Sequence, residues 1–211
     1  MKVPIQLIET MRVEPGQRLP LLPRHQQRLE RSCQALGYAW PGDALLTAIN
    51  EYVERLDTRI SHRLRLLLDS DGRHSLQSSE LAATSQPVRI RLNPSPLQAD
   101  PFWLRHKTTR RPWYADAQNL LEQNRGLFDI VFCNAHGEIC EGSRSNVYVQ
   151  NANNEWLTPP TACALLPGVQ RQVLLDTGQV REALITRSDL LNARAIRVSN
   201  ALRGWLDAVL D

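Results

Sequence analysis

Three prolines set the outline of this chain. Pro94, Pro96 and Pro101 fall within Asn93-Pro94-Ser95-Pro96-Leu97-Gln98-Ala99-Asp100-Pro101. Proline lacks a backbone N–H and has a fixed φ, so no regular helix or central strand runs through such a stretch. Residues 94–106 therefore read as a linker. It separates a small N-terminal α/β lobe at 1–93 from a larger, β-rich C-terminal lobe at 107–211.

The periodicity on either side fills in the lobes. Ile5 to Val13 reads as a strand, and Pro15-Gly16 as a turn. Pro23 opens a helix with the stripe Leu22, Leu29, Cys33 and Leu36, stopped by Gly37. A second helix begins near Pro41-Gly42-Asp43 and carries Leu45, Leu46, Ile49, Tyr52, Val53 and Leu56 on one face. Strands are expected at Arg63–Asp69, after the turn at Gly72, and at Val88–Leu92. In the second lobe the pattern predicts a helix near Tyr114–Gln123 and strands at Phe128–Asn134, Ser145–Gln150 and Glu155–Thr158. A helix after Pro167-Gly168, a strand at Val180–Thr186, a short helix from Ser188 and a strand at Ala195–Ser199 complete it. This is an α+β pattern in two lobes with mixed or antiparallel sheets.

Several function classes drop out on bulk properties. A net charge of +3 with scattered basic residues, and no basic stripe interleaved with aromatics, gives no footprint for nucleic acid. The N-terminus has no apolar core or small-residue cleavage site, and the longest apolar run, Leu66-Leu67-Leu68, is too short to span a bilayer. No membrane association is expected, and the cytoplasm is the expected location. Cys33, Cys133, Cys140 and Cys163 form no CxxC pair and have no histidine at metal spacing, so they read as reduced, mostly buried thiols with no metal site.

The basic residues carry one informative bias. Of 25, only Lys2 and Lys107 are lysine. Lys107 sits in Arg105-His106-Lys107-Thr108-Thr109-Arg110-Arg111, among the residue that replaces it elsewhere. Lysine can lose its proton and attack a carbonyl; arginine cannot. Three further segments carry candidate chemistry, each with a plainer alternative. Leu165-Leu166-Pro167-Gly168-Val169-Gln170-Arg171 starts a helix whose open N–H groups suit an anion, or is an ordinary helix start. Glu141, beside Gly142 at the mouth of a strand, is a ligand-facing carboxylate or a solvated one. Arg28, next to the buried stripe at Leu29, fits a phosphate bidentately or lies on the surface.

These pieces occur in a recognisable order. They are Ile8-Glu9-Thr10-Met11-Arg12, His25-x-x-Arg28-Leu29, Lys107-Thr108, Glu141-Gly142-Ser143-Arg144-Ser145-Asn146, Leu157-Thr158-Pro159-Pro160, Leu166-Pro167-Gly168-Val169 and Ser199-Asn200-Ala201-Leu202-Arg203-Gly204. In that order they resemble the class-IV aminotransferase family, the fold-type IV pyridoxal-phosphate enzymes. The family includes branched-chain and D-amino-acid aminotransferases and 4-amino-4-deoxychorismate lyase. The resemblance implies the cofactor pyridoxal 5'-phosphate, with Lys107 as the Schiff-base lysine. It further implies Glu141 as partner of the pyridine nitrogen and Arg28 as a phosphate ligand. Val169 and Gln170 would supply backbone N–H groups to the phosphate, with Ser199 and Asn200 finishing the cup. Tyr114 would meet the cofactor's phenol oxygen, although its spacing from Lys107 differs from the aminotransferase pattern.

Within the family, the lyase is the closer resemblance. Thr10 falls where the lyase has a threonine implicated in proton delivery and branched-chain aminotransferases have glycine. The ending Ser-Asn-Ala-Leu-Arg-Gly-Trp and the run His-Lys-Thr-Thr-Arg-Arg resemble lyase-like domains fused to aminodeoxychorismate synthase. Arg12, Arg73 and Arg203 are the candidates for a dicarboxylate substrate. The implied reaction eliminates pyruvate and leaves 4-aminobenzoate, a step towards folate. The alternatives are a class-IV aminotransferase for branched-chain or D-amino acids and a non-catalytic paralogue that keeps the fold. The implied partners are a small amino substrate, a second copy in a homodimer with the site between lobes near the subunit interface, and a functional link to the synthase. Family members usually carry a further N-terminal segment with a Gly-Asp-Gly turn beside the site, which is absent before Ile8 here.

Overall fold

Alternation in the first lobe produces a three-stranded antiparallel sheet. In the computed structural model, which describes residues 4–211, β1 (Leu7–Val13), β2 (His62–Leu68) and β3 (His74–Glu80) lie in that order. Lys2 lies outside the described residues. In β2, His62, Leu64, Leu66 and Leu68 point to one face and are buried, while Arg63, Arg65 and Leu67 point to the other. The buried face packs with α1 (Leu22–Leu36) and α2 (Asp43–Val53) around Leu7, Met11, Val13, Leu29, Cys33, Leu45, Ile49 and Val53. Proline in its first turn starts α1, and Gly37, at φ 67°, ends it by donating its N–H to Cys33 O.

The second unit is built on an eight-stranded mixed sheet. Its strands are β4 (Val88–Leu92), β5 (Leu127–Cys133), β6 (Ile139–Gly142), β7 (Asn146–Gln150), β8 (Trp156–Thr158), β9 (Arg181–Glu182), β10 (Ala195–Asn200) and β11 (Gly204–Leu210). They lie in the order β6-β5-β4-β11-β10-β7-β8-β9. Four helices accompany them: α3 (Pro101–Leu104), α4 (Ala115–Gln123), α5 (Val169–Asp176) and α6 (Arg187–Leu191). Val131, Ile139, Val147, Val149, Ile185, Leu190 and Val198 form one core, and Tyr114, Leu121, Ile130 and Phe132 another.

The division between units differs from the expected one. The first unit runs to Ala83 and regains His106–Arg110; the second holds Thr84–Arg105 and Arg111–Asp211. β4, expected in the first lobe, pairs in parallel with both β11 and β5, so its hydrogen bonds belong to the second unit. Lys107, expected to open the C-terminal lobe, belongs instead to the first, where Ile8 N donates to Lys107 O at 2.8 Å. The proline run does not separate the units, because its flanks return to one sheet: Asn93 N donates to Val131 O and Leu97 N to Cys133 O. Asp100 then caps the short helix α3.

Smaller differences concern β6, β9 and β11. The strand expected over Val180–Thr186 shrinks to Arg181–Glu182, because Thr186 and Asp189 form a reciprocal capping box that starts α6. β6 and β11 were not anticipated, although β11 buries Leu206 and Ala208 in alternation. No helix among the described residues is long and apolar enough to cross a membrane.

The reassignment of β4 has a measurable consequence. Ile90 is fully buried between β5 and β11. Ile90→Ala is expected to cost about 2–5 kcal/mol of stability in urea unfolding. A loss below about 1 kcal/mol would place β4 outside the core.

Candidate active site

The first unit buries a carboxylate under its sheet. Glu9 follows the alternation of β1 inward and is 2% exposed. Arg28 on α1 donates from Nε to Glu9 Oε1 at 2.8 Å and from Nη2 to Oε2 at 2.5 Å. His25, one helical turn earlier, places Nδ1 2.6 Å from Oε2. Burial alone would push the Glu9 carboxyl up, but the Arg28 and His25 charges and hydrogen bonds outweigh it and hold the pKa at about 2. The edge of Arg28 expected to grip a phosphate is therefore committed to Glu9. A guanidinium buried this deeply needs a counter-charge, and the nearest residue able to supply it stands on β1.

The opposite face of the same sheet is cationic. The register sets Thr10 opposite Arg65 and Arg12 opposite Arg63 on β1 and β2, with Gln77 and Ser79 of β3 completing the two rows. One row towards the start of β1, Leu7 bridges Thr108, which sets Lys107 opposite Ile8. Thr108 is fully buried with Leu7, so the pleat turns Lys107 to the face that carries Thr10 and Arg12. Like charges directly opposite one another destabilise a strand pair. Among the described residues, neither the Arg12 nor the Arg63 guanidinium meets a carboxylate. Arg63 and Arg65 were missed at the sequence level, yet their alternation with Leu64 and Leu66 marked this face. Arg73 is not brought to it: it sits in the exposed β2–β3 turn and pairs with Asp71 at 2.7 Å.

The second unit gathers the remaining candidates around β6, β7, β10 and the start of α5. Glu141 on β6 is buried and accepts from the Tyr114 hydroxyl at 2.7 Å. Burial and then the Glu141 charge drive the Tyr114 phenol well above its ordinary pKa, so it stays a donor. Its hydroxyl thus stands beside the carboxylate, where the sequence had suggested a partner for the cofactor's phenol oxygen. Asn146 on β7 lies opposite Ser199 on β10. Asn146 Nδ2 donates to Leu166 O at 3.0 Å, and a Cβ at Gly168 would collide with Asn146 Oδ1. Only glycine admits this approach at the head of α5, where Val169 and Gln170 follow with no side-chain cap. Ser199, fully buried, shares a 2.7 Å hydrogen bond with Tyr148. Asn200 Oδ1 accepts from Leu202 N and Arg203 N, which fixes the turn carrying Arg203.

This half-site has two chemically distinct ends. An uncapped helix start with a buried serine hydroxyl suits a phosphate, and a buried carboxylate suits a protonated ring nitrogen. Gly168 admits Asn146 against the helix start, which holds β7 to the head of α5. The donor set therefore fits pyridoxal phosphate. Among the described residues no group of His, Cys, Asp and Glu could hold a metal ion, and all four cysteines are buried free thiols.

The Glu9 cluster sets an acid limit on stability. A carboxylate whose folded pKa is depressed stabilises the fold fully above its unfolded value, near 4.5, and loses that contribution as pH falls towards about 2. The contribution is on the order of 3 kcal/mol. The stability difference between wild type and Glu9→Gln, measured by urea unfolding at stepped pH, is expected to shrink across that window. A difference independent of pH there would refute the assignment.

Comparison with known proteins identifies the family and the fold. The family model "Amino-transferase class IV" matches residues 6–209. A protein of Schizosaccharomyces pombe named "Putative aminodeoxychorismate lyase" is 29% identical over 197 residues, covering 90% of this chain and 84% of its own. A crystal structure described as a "Putative amino-acid aminotransferase" from Mesorhizobium loti is 34% identical, with a TM-score of 0.89, and the match covers 98% of this chain and all of that one. The PLP-bound form of "a hypothetical aminotransferase" from Mycobacterium tuberculosis shares the fold at 21% identity, with a TM-score of 0.75, covering 98% of this chain and 81% of that one. The two-unit α+β architecture is thus that of fold-type IV, and the chain belongs to the class IV aminotransferase family of enzymes.

Proposed function

We propose that this chain is a pyridoxal-phosphate enzyme of the aminodeoxychorismate lyase type, acting on an amino substrate that carries two carboxylates. The observation that carries this reading is the row of Arg12 and Arg63 with Arg65 beside it, on the sheet face that also bears Lys107 and Thr10. Arg12 and Arg63, set opposite each other, repel across the strand pair until an anionic ligand arrives. An apolar amino acid would leave the Arg12 and Arg63 guanidinium groups without a counter-ion.

When bound, pyridoxal phosphate supplies an electron sink that acidifies the carbon bearing the substrate's amine. Lys107 would hold the cofactor through its side-chain amine and, as a free amine, would take the proton from that carbon. The Glu141 carboxylate would keep the ring nitrogen protonated. Val169 N–H, Gln170 N–H, Ser199 and Asn200 would bind the phosphate, the role the family resemblance also implies for Arg28, and Arg12, Arg63 and Arg65 would orient the carboxylates. Arg203 is a further carboxylate candidate on the turn after β10. Thr10, one strand row from Lys107, passes a proton to the departing pyruvate unit. Product is then 4-aminobenzoate, in the folate route, and the working unit in this proposal is a homodimer. The 34% identical Mesorhizobium loti protein, described as a putative amino-acid aminotransferase, favours a second reading, an aminotransferase.

The test is spectroscopic first. Purified protein given pyridoxal phosphate is expected to turn yellow, with a visible band that borohydride bleaches, and Lys107→Ala to lose the band and turnover together. Protein that stays colourless would leave the non-catalytic reading in its place. Pyruvate release from aminodeoxychorismate supports the lyase, and amino transfer to a keto acid without pyruvate release overturns it. Arg63→Ala is expected to raise KM for the dicarboxylate about tenfold or more, with kcat little changed. An unaltered KM would remove the arginine face from the argument.

A further inference from the structure

The segment that carries Glu141 is held by a carboxylate that the proposed chemistry does not use. Asp129 on β5 is fully buried. Its Oδ1 accepts from Ile130 N at 2.8 Å and from Ser143 Oγ at 2.6 Å. Its Oδ2 accepts from Ser145 Oγ at 2.5 Å and from Arg144 N at 3.2 Å. Three of these donors belong to consecutive residues of one turn. A Cβ at Gly142 would run into Asp129 Oδ2, so this glycine is what lets the turn settle on the carboxylate. The backbone of the turn is closed by Gly142 N to Ser145 O at 2.8 Å and by Ser143 N to Ile130 O at 2.9 Å. Arg111 Nη2 adds a contact to Ser143 O at 2.5 Å.

The two ends of that turn are the two ends of the half-site. Glu141 precedes it, with one carboxylate oxygen taken by Tyr114. Asn146 follows it, bonded to Leu166 O against the Gly168 cradle that opens α5. A displacement of the turn by a fraction of an ångström therefore moves the ring-nitrogen partner and the phosphate end together. A neutral side chain of the same shape cannot do the same work: an asparagine has one acceptor oxygen, and its NH2 group would face Arg144 N–H. Simple core stabilisation does not require that all three turn donors converge on a single group.

We infer that Asp129 is the positioning residue for the Glu141–Asn146 turn, acting on the cofactor through Glu141 without touching it. The inference rests on the pyridoxal-phosphate reading above. A double-mutant cycle tests it, with the dissociation constant for pyridoxal phosphate read from quenching of tryptophan fluorescence. The thermal midpoint of the cofactor-free protein is read alongside. Asp129→Asn is expected to raise the dissociation constant about tenfold or more. Glu141→Gln added to Asp129→Asn is expected to weaken binding far less than Glu141→Gln does in the wild type, because the two act through one group. If Asp129→Asn does not fold, Ser145→Ala enters the same cycle, with an expected rise of about threefold. Additive effects, or a lowered midpoint with unchanged affinity, overturn the inference. Wild-type protein that takes up no pyridoxal phosphate overturns the cofactor reading and this inference together. Wild-type binding with additive variants overturns this inference alone.

Discussion

Glu9 lies under the first sheet with both carboxylate oxygens met by Arg28 and one shared with His25. Desolvating an isolated carboxylate costs several kcal/mol, so such a group persists only where donors are already aimed at it. Here the donors come from one face of α1, three residues apart, which is the spacing that brings side chains to the same side of a helix. The ion pair therefore fixes the rotation of α1 against β1. That rotation also sets which face of β1 is turned outward, and with it the placement of Thr10 and Arg12. The second unit repeats the device with Asp129, where hydroxyl and backbone donors replace the guanidinium.

The outward face shows the reverse economy. Inside the unit a charge is matched at once, whereas Arg12 and Arg63 are set opposite each other with no carboxylate between them among the described residues. A sheet that only had to be stable would place Thr, Glu or Gln at one of those positions. The arrangement gives up strand-pair stability to present cations in a fixed row. Departures of this kind, where local preference and stability disagree, collect at binding sites. Exposed arginines that already have partners, such as Arg59 with Asp57 and Arg181 with Glu155, carry no such signal.

Much of this was legible in the sequence, for physical reasons. The inward alternation of Leu64, Leu66 and Leu68, the Pro23 start and Gly37 stop of α1, and the Pro167-Gly168 entry to α5 are local signals, and local signals determine element type. Lys107 stood out because arginine had taken every other basic position but one. The unit boundary was not legible. Proline identified where regular structure stops, but the partners of β4 are β5 and β11, far along the chain, and no local pattern reports a parallel pairing of that range. β6 was hidden because a four-residue strand ending in Glu-Gly looks like a loop. Asp129 was hidden because, in Leu127-Phe128-Asp129-Ile130-Val131-Phe132, it reads as a lone charge interrupting a strand.

That interruption is informative once its surroundings are known. A single acid inside an otherwise apolar strand needs donors, and here all the donors outside its own strand lie between Ser143 and Ser145. Two serines flanking an arginine, just after a glycine, can converge on one carboxylate only if the turn doubles back over β5. The motif Glu141-Gly142-Ser143-Arg144-Ser145-Asn146 is thus better understood as two ends, Glu141 bonded to Tyr114 and Asn146 seated against Gly168, separated by the four residues that anchor it. Gly142 gives the approach, Ser143 and Ser145 give the hydroxyls, and Arg144 contributes its backbone N–H. On this account the chemistry of the motif belongs to its ends, and the identity of its middle is dictated by a residue twelve positions upstream of Glu141.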